Sequence, residues 1–190
     1  MIKNLTILSS GFVKTIPNGL LATSTSILLE THNEKIIVDP GISKEIFNRL
    51  AEFKIDLKEI NYIFLTHHHL DHSFNSFYFP YSKILDGFYL YENERLIEHN
   101  GKVFTDIEII HTPGHTSEHS SLSIIWNGKN TLIAGDFVWY ADEVSINNMD
   151  ELINLKDPFA ENLDLLIKKR KEIIPQYKFI IPGHGRPIEL

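Results

Sequence analysis

Cysteine is absent from all 190 residues. That excludes disulfides, thiolate metal sites and a cysteine nucleophile. No run of about 18 apolar residues occurs, so no membrane span is expected. The start, Met1-Ile2-Lys3-Asn4-Leu5, lacks the long apolar stretch of a secretory leader, and the expected compartment is the cytoplasm. Positive charge is in short supply. Eighteen Lys and Arg face 25 Asp and Glu, for a net charge of −7, which gives no general attraction to nucleic acid. The one basic run, Lys168-Lys169-Arg170-Lys171, reads as a solvated helix face rather than an RNA contact. Repeats and low-complexity tracts are also missing. A hydrophobic content of 43% is ordinary for a globular chain, and the length predicts a single domain over residues 1–190.

Histidine, by contrast, is concentrated. Thr66-His67-His68-His69-Leu70-Asp71-His72 follows the apolar run Tyr62-Ile63-Phe64-Leu65. Such a run reads as a buried strand, whose end is a rigid mount for ligands. Within it, His67, His69, Asp71 and His72 have the spacing His-x-His-x-Asp-His. Imidazole and carboxylate together suit zinc and its first-row neighbours. In locally extended backbone His67 and His69 project to the same side. Asp71 and His72 are adjacent and diverge, which suits a second metal beside the first.

A solvated histidine patch is the competing reading, and three further segments argue against it. His115 lies in Thr112-Pro113-Gly114-His115-Thr116, Asp136 follows Leu132-Ile133-Ala134-Gly135, and His184 lies in Pro182-Gly183-His184-Gly185 after Phe179-Ile180-Ile181. In each, a glycine-bearing turn presents one ligand-type residue beside an apolar segment. Strands are expected at 4–9, 23–30, 35–39, 62–65, 83–85, 103–111, 120–126, 131–134 and 179–181. Helices are expected at 43–53, with Ser43 as N-cap, from near Asp71, and at 161–174, stopped by Pro175. The connection 11–22 is read either as a flap or as ordinary packing of Phe12, Leu20 and Leu21. Trp139 and Tyr140 are candidates for substrate contact, with core packing as the alternative.

The ordered set of Asp39 in Val38-Asp39-Pro40-Gly41, the 67–72 cluster, His115, Asp136 and His184 resembles the metallo-β-lactamase superfamily over residues 36–187. The resemblance implies an α+β fold, a four-layer αββα sandwich. It implies that His67, His69 and His115 bind one metal, that Asp71, His72 and His184 bind another, and that Asp136 bridges them. Asp71 would also handle the proton. Asp39 would steady a ligand histidine, with a plain Asp-Pro-Gly turn as the lesser alternative. His119 is given a supporting structural role, and His68, His32, His99 and His111 lie outside the pattern. The implied cofactors are two divalent ions, zinc first, with iron or manganese as alternatives. The implied chemistry is attack by a metal-bridging hydroxide.

Within the superfamily, the bridging Asp136 departs from true β-lactamases, and His69 stands where flavodiiron proteins have glutamate. Thr112-Pro113-Gly114-His115-Thr116 is similar to glyoxalase II, whose C-terminal glutathione-binding region has no counterpart in the six residues after His184. Asp157-Pro158, Arg170 and the terminal Ile181-Pro182-Gly183-His184-Gly185-Arg186-Pro187 are similar to the compact metallo-β-lactamase domain-containing protein 1 type. The expectation is a hydrolase of a small-molecule ester, thioester or lactone. A phosphodiesterase or nuclease is the alternative, and a non-catalytic metal-binding protein is the third reading.

Overall fold

The computed structural model describes residues 2–190. Strands β1 (Asn4–Ser9), β2 (Phe12–Ile16), β3 (Gly19–Thr23), β4 (Ser26–Glu30) and β5 (Lys35–Val38) precede helix α1 (Glu45–Glu52). Then come β6 (Tyr62–Phe64), the one-turn α2 (Leu70–Ser73), β7 (Lys83–Leu85), β8 (Tyr89–Glu92), β9 (Arg95–Glu98), β10 (Ile107–His111), β11 (Ser120–Trp126) and β12 (Lys129–Gly135). Helices α3 (Met149–Ile153) and α4 (Leu163–Ile173), then β13 (Phe179–Pro182) and β14 (Ile188–Glu189), complete the order.

Seven strands form one sheet in the order β1-β4-β5-β6-β7-β8-β9, five form a second in the order β10-β11-β12-β13-β14, and β2-β3 is a separate hairpin. Alternation along the strands divides the apolar side chains between two faces. Ile27, Leu29, Ile36, Val38 and Phe64 meet Leu122, Ile124, Ile133 and Ile181 between the sheets. The intervening Leu28, Ile37 and Ile63 pack outward on Ile46 and Leu50 of α1. Leu132 and Ile180 pack outward on Leu152 of α3 and Leu166 of α4. Helix, sheet, sheet, helix is therefore the layer order, an αββα sandwich.

Several expectations are corrected. The strand read at 23–30 is two, because Thr23 ends β3 and β4 begins at Ser26. The connection 11–22 folds largely into the β2-β3 hairpin, in which Leu20 and Leu21 are about half exposed, so ordinary packing does not explain them. The strand read at 103–111 starts only at Ile107. Ser43 accepts from the Glu45 N–H but the helix is capped at Lys44 without a side-chain bond. Helix α4 starts at Leu163, with Asn162 accepting from the Leu165 N–H, and the 3-10 turn carrying Pro175 follows it. The basic run is not uniformly solvated. Lys168 and Lys171 are exposed, but Arg170 is completely buried. Among the described residues no helix is long and apolar enough to cross a membrane.

Candidate metal centre

β5, β6 and β7 run parallel, as do β12 and β13. β10 shares the direction of β12, because both are antiparallel to β11. The carboxyl ends of such strands leave the sandwich on one edge, and the candidate residues follow them. Asp39 comes after β5, the 66–72 segment after β6, His115 after β10, Asp136 after β12 and His184 after β13. Close backbone approach makes this convergence feasible. A Cβ on Gly183 would lie 2.0 Å from Asp136 Oδ1. Gly135, at φ +53°, faces Thr66, where a Cβ would lie 2.5 Å from the hydroxyl.

Seven side chains come together in two groups. His67, His69, His115 and Asp136 form one, and Asp71, His72 and His184 the other, with candidate ligand atoms in each group within 4.8 Å of one another. His69 Nδ1 is 2.9 Å from His67 Nε2 and 3.1 Å from His115 Nε2. His72 Nε2 and His184 Nε2 are 3.3 Å apart, and His184 Nε2 is 3.3 Å from Asp71 Oδ2. Asp136 spans the groups. Its Oδ2 lies 3.4 Å from His115 Nε2 and 3.9 Å from His67 Nε2. Its Oδ1 lies 3.2 Å from His72 Nε2 and 3.5 Å from His184 Nε2.

The outward nitrogens of four rings are each engaged. His67 Nδ1 is 3.1 Å from Thr66 Oγ1, which donates to Asp39 Oδ2 at 2.7 Å. His72 Nδ1 is 2.8 Å from Asp39 Oδ2, His115 Nδ1 is 2.7 Å from Asp157 Oδ2, and His184 Nδ1 is 2.8 Å from the Thr23 carbonyl. Carboxylate and carbonyl partners hold a proton on the outer nitrogen and turn the inner lone pair toward the centre. Asp39 does this from φ +46°, a left-handed backbone that non-glycine residues adopt at a cost of about 1 kcal/mol or more.

The site calls for positive charge. Burial pushes His67 well below its ordinary pKa. Burial also opposes charge on His72 and His184, but Asp136, with Asp39 at His72 and Asp71 at His184, outweighs it. His72 is held well above its ordinary value and His184 at about 9. Burial works against the Asp136 carboxylate too, yet His72 and His184 hold it well below the usual range. Imidazole nitrogens turned inward around the buried Asp136 carboxylate are the donor set a divalent cation requires. Each of the two groups has the side chains to hold such an ion.

The other candidates fall outside both groups. His119 is buried with both nitrogens engaged: Nδ1 is 2.8 Å from Thr112 Oγ1, and Nε2 accepts from the Phe137 N–H. It thus braces the residue after Asp136. His68 points elsewhere and pairs with Asp86 at 3.3 Å. His99 bonds to the Asp86 carbonyl, His111 to the Ser117 carbonyl, and His32 is exposed. Trp139 is buried, its ring 6.1 Å from that of His184, and Tyr140 donates to the Arg186 carbonyl. Asp157 was not expected here. Its sequence signal, an aspartate before proline, reads locally as a turn, and nothing local pairs it with a histidine 42 residues away.

A family model for the metallo-beta-lactamase superfamily matches residues 21–105 and 91–184. A hydroxyacylglutathione hydrolase of Tolumonas auensis is 31% identical over 57% of this chain and 44% of its own length. The chain thus spans under half of that relative. Metallo-beta-lactamase domain-containing protein 1 of Xenopus laevis is 24% identical, with 97% of this chain and 80% of that protein covered. A solved Thermotoga maritima protein described as a metallo-beta-lactamase superposes with a TM-score of 0.73 at 21% identity, covering 98% of both chains. A dizinc quorum-quenching lactonase does so with a TM-score of 0.63 at 15% identity, over 87% of this chain and 74% of that one. At those identities the two structures speak to the fold alone.

Proposed function

This chain belongs to the metallo-β-lactamase superfamily, and from that membership we propose that it is a metal-dependent hydrolase with two divalent cations, zinc first, acting on a small-molecule ester, thioester or lactone. Residues 1–190 are read as one domain of this type. The observation that carries the proposal is the carboxylate of Asp136, which turns one oxygen to each of two histidine groups. A closed structural site would need only one group of four ligands. The names of the hydroxyacylglutathione hydrolase and the lactonase support carbon–oxygen and carbon–sulfur acyl bonds as the substrates to try first.

His67, His69 and His115 would hold one cation and Asp71, His72 and His184 the other, with Asp136 shared. Such ions supply Lewis acidity and a water acid enough to act as nucleophile near neutral pH. The protein's own contribution is orientation and proton handling. Asp39, Thr66, Asp157 and the Thr23 carbonyl hold the rings. Asp71 is the more open of the two site aspartates, its side chain about 30% exposed against 6% for Asp136. Burial raises its pKa, but the hydrogen bond and charge of His184 and the charge of His72 outweigh that and keep it ionised. It is the base suited to take a proton from the attacking water and return it to the leaving alkoxide or thiolate.

The test is a panel of aryl esters, acyl thioesters, lactones and bis-p-nitrophenyl phosphate, offered to chelator-stripped protein and to protein reloaded with zinc, iron or manganese. Metal-restored hydrolysis of an acyl substrate is expected. Turnover of the phosphodiester alone would replace the acyl reading with the nuclease-type one. No turnover of any substrate in any metal form would sink the hydrolase proposal.

A further inference from the structure

Arg170 is completely buried on α4, and the catalytic reading gives it no role. Its Nε donates to the Phe137 carbonyl at 2.6 Å and its Nη1 to the Leu155 carbonyl at 2.7 Å. Phe137 directly follows Asp136, and its own N–H is held by His119. Leu155 lies two residues before Asp157, whose carboxylate holds His115. One guanidinium thus ties together two irregular segments, each delivering an acidic group to the same half of the site. The helix that carries it also grips the third component. Asn162 at its N-cap donates its N–H to the Gly114 carbonyl, the Glu161 N–H bonds to the His115 carbonyl, and Gly114 packs so tightly that a Cβ would lie 2.6 Å from Leu166.

We propose that Arg170 is a positioning residue for the His67/His69/His115/Asp136 group, fixing Asp136 and the Asp157–His115 pair against each other through the backbone on either side. A rigid two-pronged donor is what this task needs, because the two carbonyls belong to different segments and must be held in a fixed mutual geometry. A lysine offers one point of charge and reaches one carbonyl or the other. A buried cation is also costly unless its surroundings require it. Here Asp157 and Asp136 both lie close enough to favour its charge, although burial lowers its pKa to about 10.

The inference rests on the two-cation reading, and its test separates the two. Co(II) is titrated into chelator-stripped wild type, Arg170→Lys and Leu50→Ala, following d–d absorption and thermal unfolding. Leu50 is a fully buried residue of α1, in the cluster on the other sheet, and serves as a destabilised control. Wild type should take up two equivalents, and failure to do so would end the two-cation reading itself. Arg170→Lys should bind one of the two Co(II) ions about 10–100-fold more weakly, as loss of support behind a metal ligand does, with an altered d–d band. It should also gain less thermal stability from Co(II). Leu50→Ala should bind as wild type does. Wild-type affinity and spectrum in Arg170→Lys, or an equal loss in Leu50→Ala, would overturn the assignment. If Arg170→Lys does not fold, the wild-type protein decides by NMR with Zn(II). The Arg170 Nε–H resonance should shift, and its exchange slow, when metal binds; an unmoved, unprotected resonance would refute the link.

Discussion

Replacing Asp39 with asparagine isolates the hydrogen bond behind His72. Asparagine is nearly the same size and tolerates the left-handed backbone at φ +46°, so the fold should survive. The wild-type carboxylate accepts three bonds: Thr66 N–H at 2.8 Å on Oδ1, and Thr66 Oγ1 at 2.7 Å and His72 Nδ1 at 2.8 Å on Oδ2. An amide keeps the first through its oxygen, but its NH₂ then meets the other two. His72 can satisfy that NH₂ only by accepting at Nδ1, which moves its proton to Nε2. That nitrogen faces Asp136 Oδ1 at 3.2 Å and is the one required for a cation. Mismatching one buried donor costs about 1–3 kcal/mol, equivalent to roughly 5–150-fold in affinity at about 1.4 kcal/mol per decade. That brackets the 10–100-fold typical for partners behind metal ligands. Competition of Zn(II) against a chromophoric chelator should find one ion held as in wild type and the other bound about 10–100-fold more weakly. Asp39→Ala should fall at least as far, since alanine also resists positive φ. If Asp39→Asn holds both ions at wild-type affinity while His72→Ala loses one, Asp39 does not set the His72 tautomer.

On the two-cation reading, Asp136→Asn removes a negative charge between the ions; elemental analysis should find one ion lost, and hydrolysis should drop by about 100-fold or more. Retention of both ions and most activity would remove the shared-ligand role. His68→Ala should change metal affinity less than about twofold, because its ring bonds to Asp86 outside both groups; a lost ion in this variant would mean that the ligand register is wrong. Saturating zinc at about a thousand times its dissociation constant should stabilise the fold by about 4 kcal/mol, read as a chelator-reversible rise in melting temperature. In chelated protein His184 is raised to about 9. Its contribution is full below about 6.5, the unfolded value, and is lost as pH climbs through 9. The melting temperature of the metal-free form should therefore fall between pH 6.5 and 9, while the loaded form, whose ring is already deprotonated, should not follow it. A flat metal-free profile would refute the His184–Asp136 pairing.

The sequence alone carried the ligand-type residues and much of the strand order, because both are local. An apolar stretch with period two marks a strand, and a glycine-bearing turn beside it marks where a side chain is presented. Phe179 to His184 shows an apolar run and such a turn within six residues. Boundaries were less legible. Thr23 and Ser26 alternate as one strand would, and only pairing of β3 with β2 and of β4 with β1 and β5 separates them. Burial on α4 was half legible, since Arg170 follows Leu166 by four residues and so shares its face, yet its charge suggested solvent. What only tertiary structure decided is which distant group stands behind each ring. Asp157 reaches His115, Asp39 reaches His72, and Thr23 offers its carbonyl to His184 across 161 positions. A hydrogen bond extends about 3 Å and carries no trace along the chain. Parallel strands deliver the rings to one edge, while the groups behind them come from the turn after β5, the β2-β3 hairpin and the α3-α4 connection, which only the packing of the whole chain brings alongside.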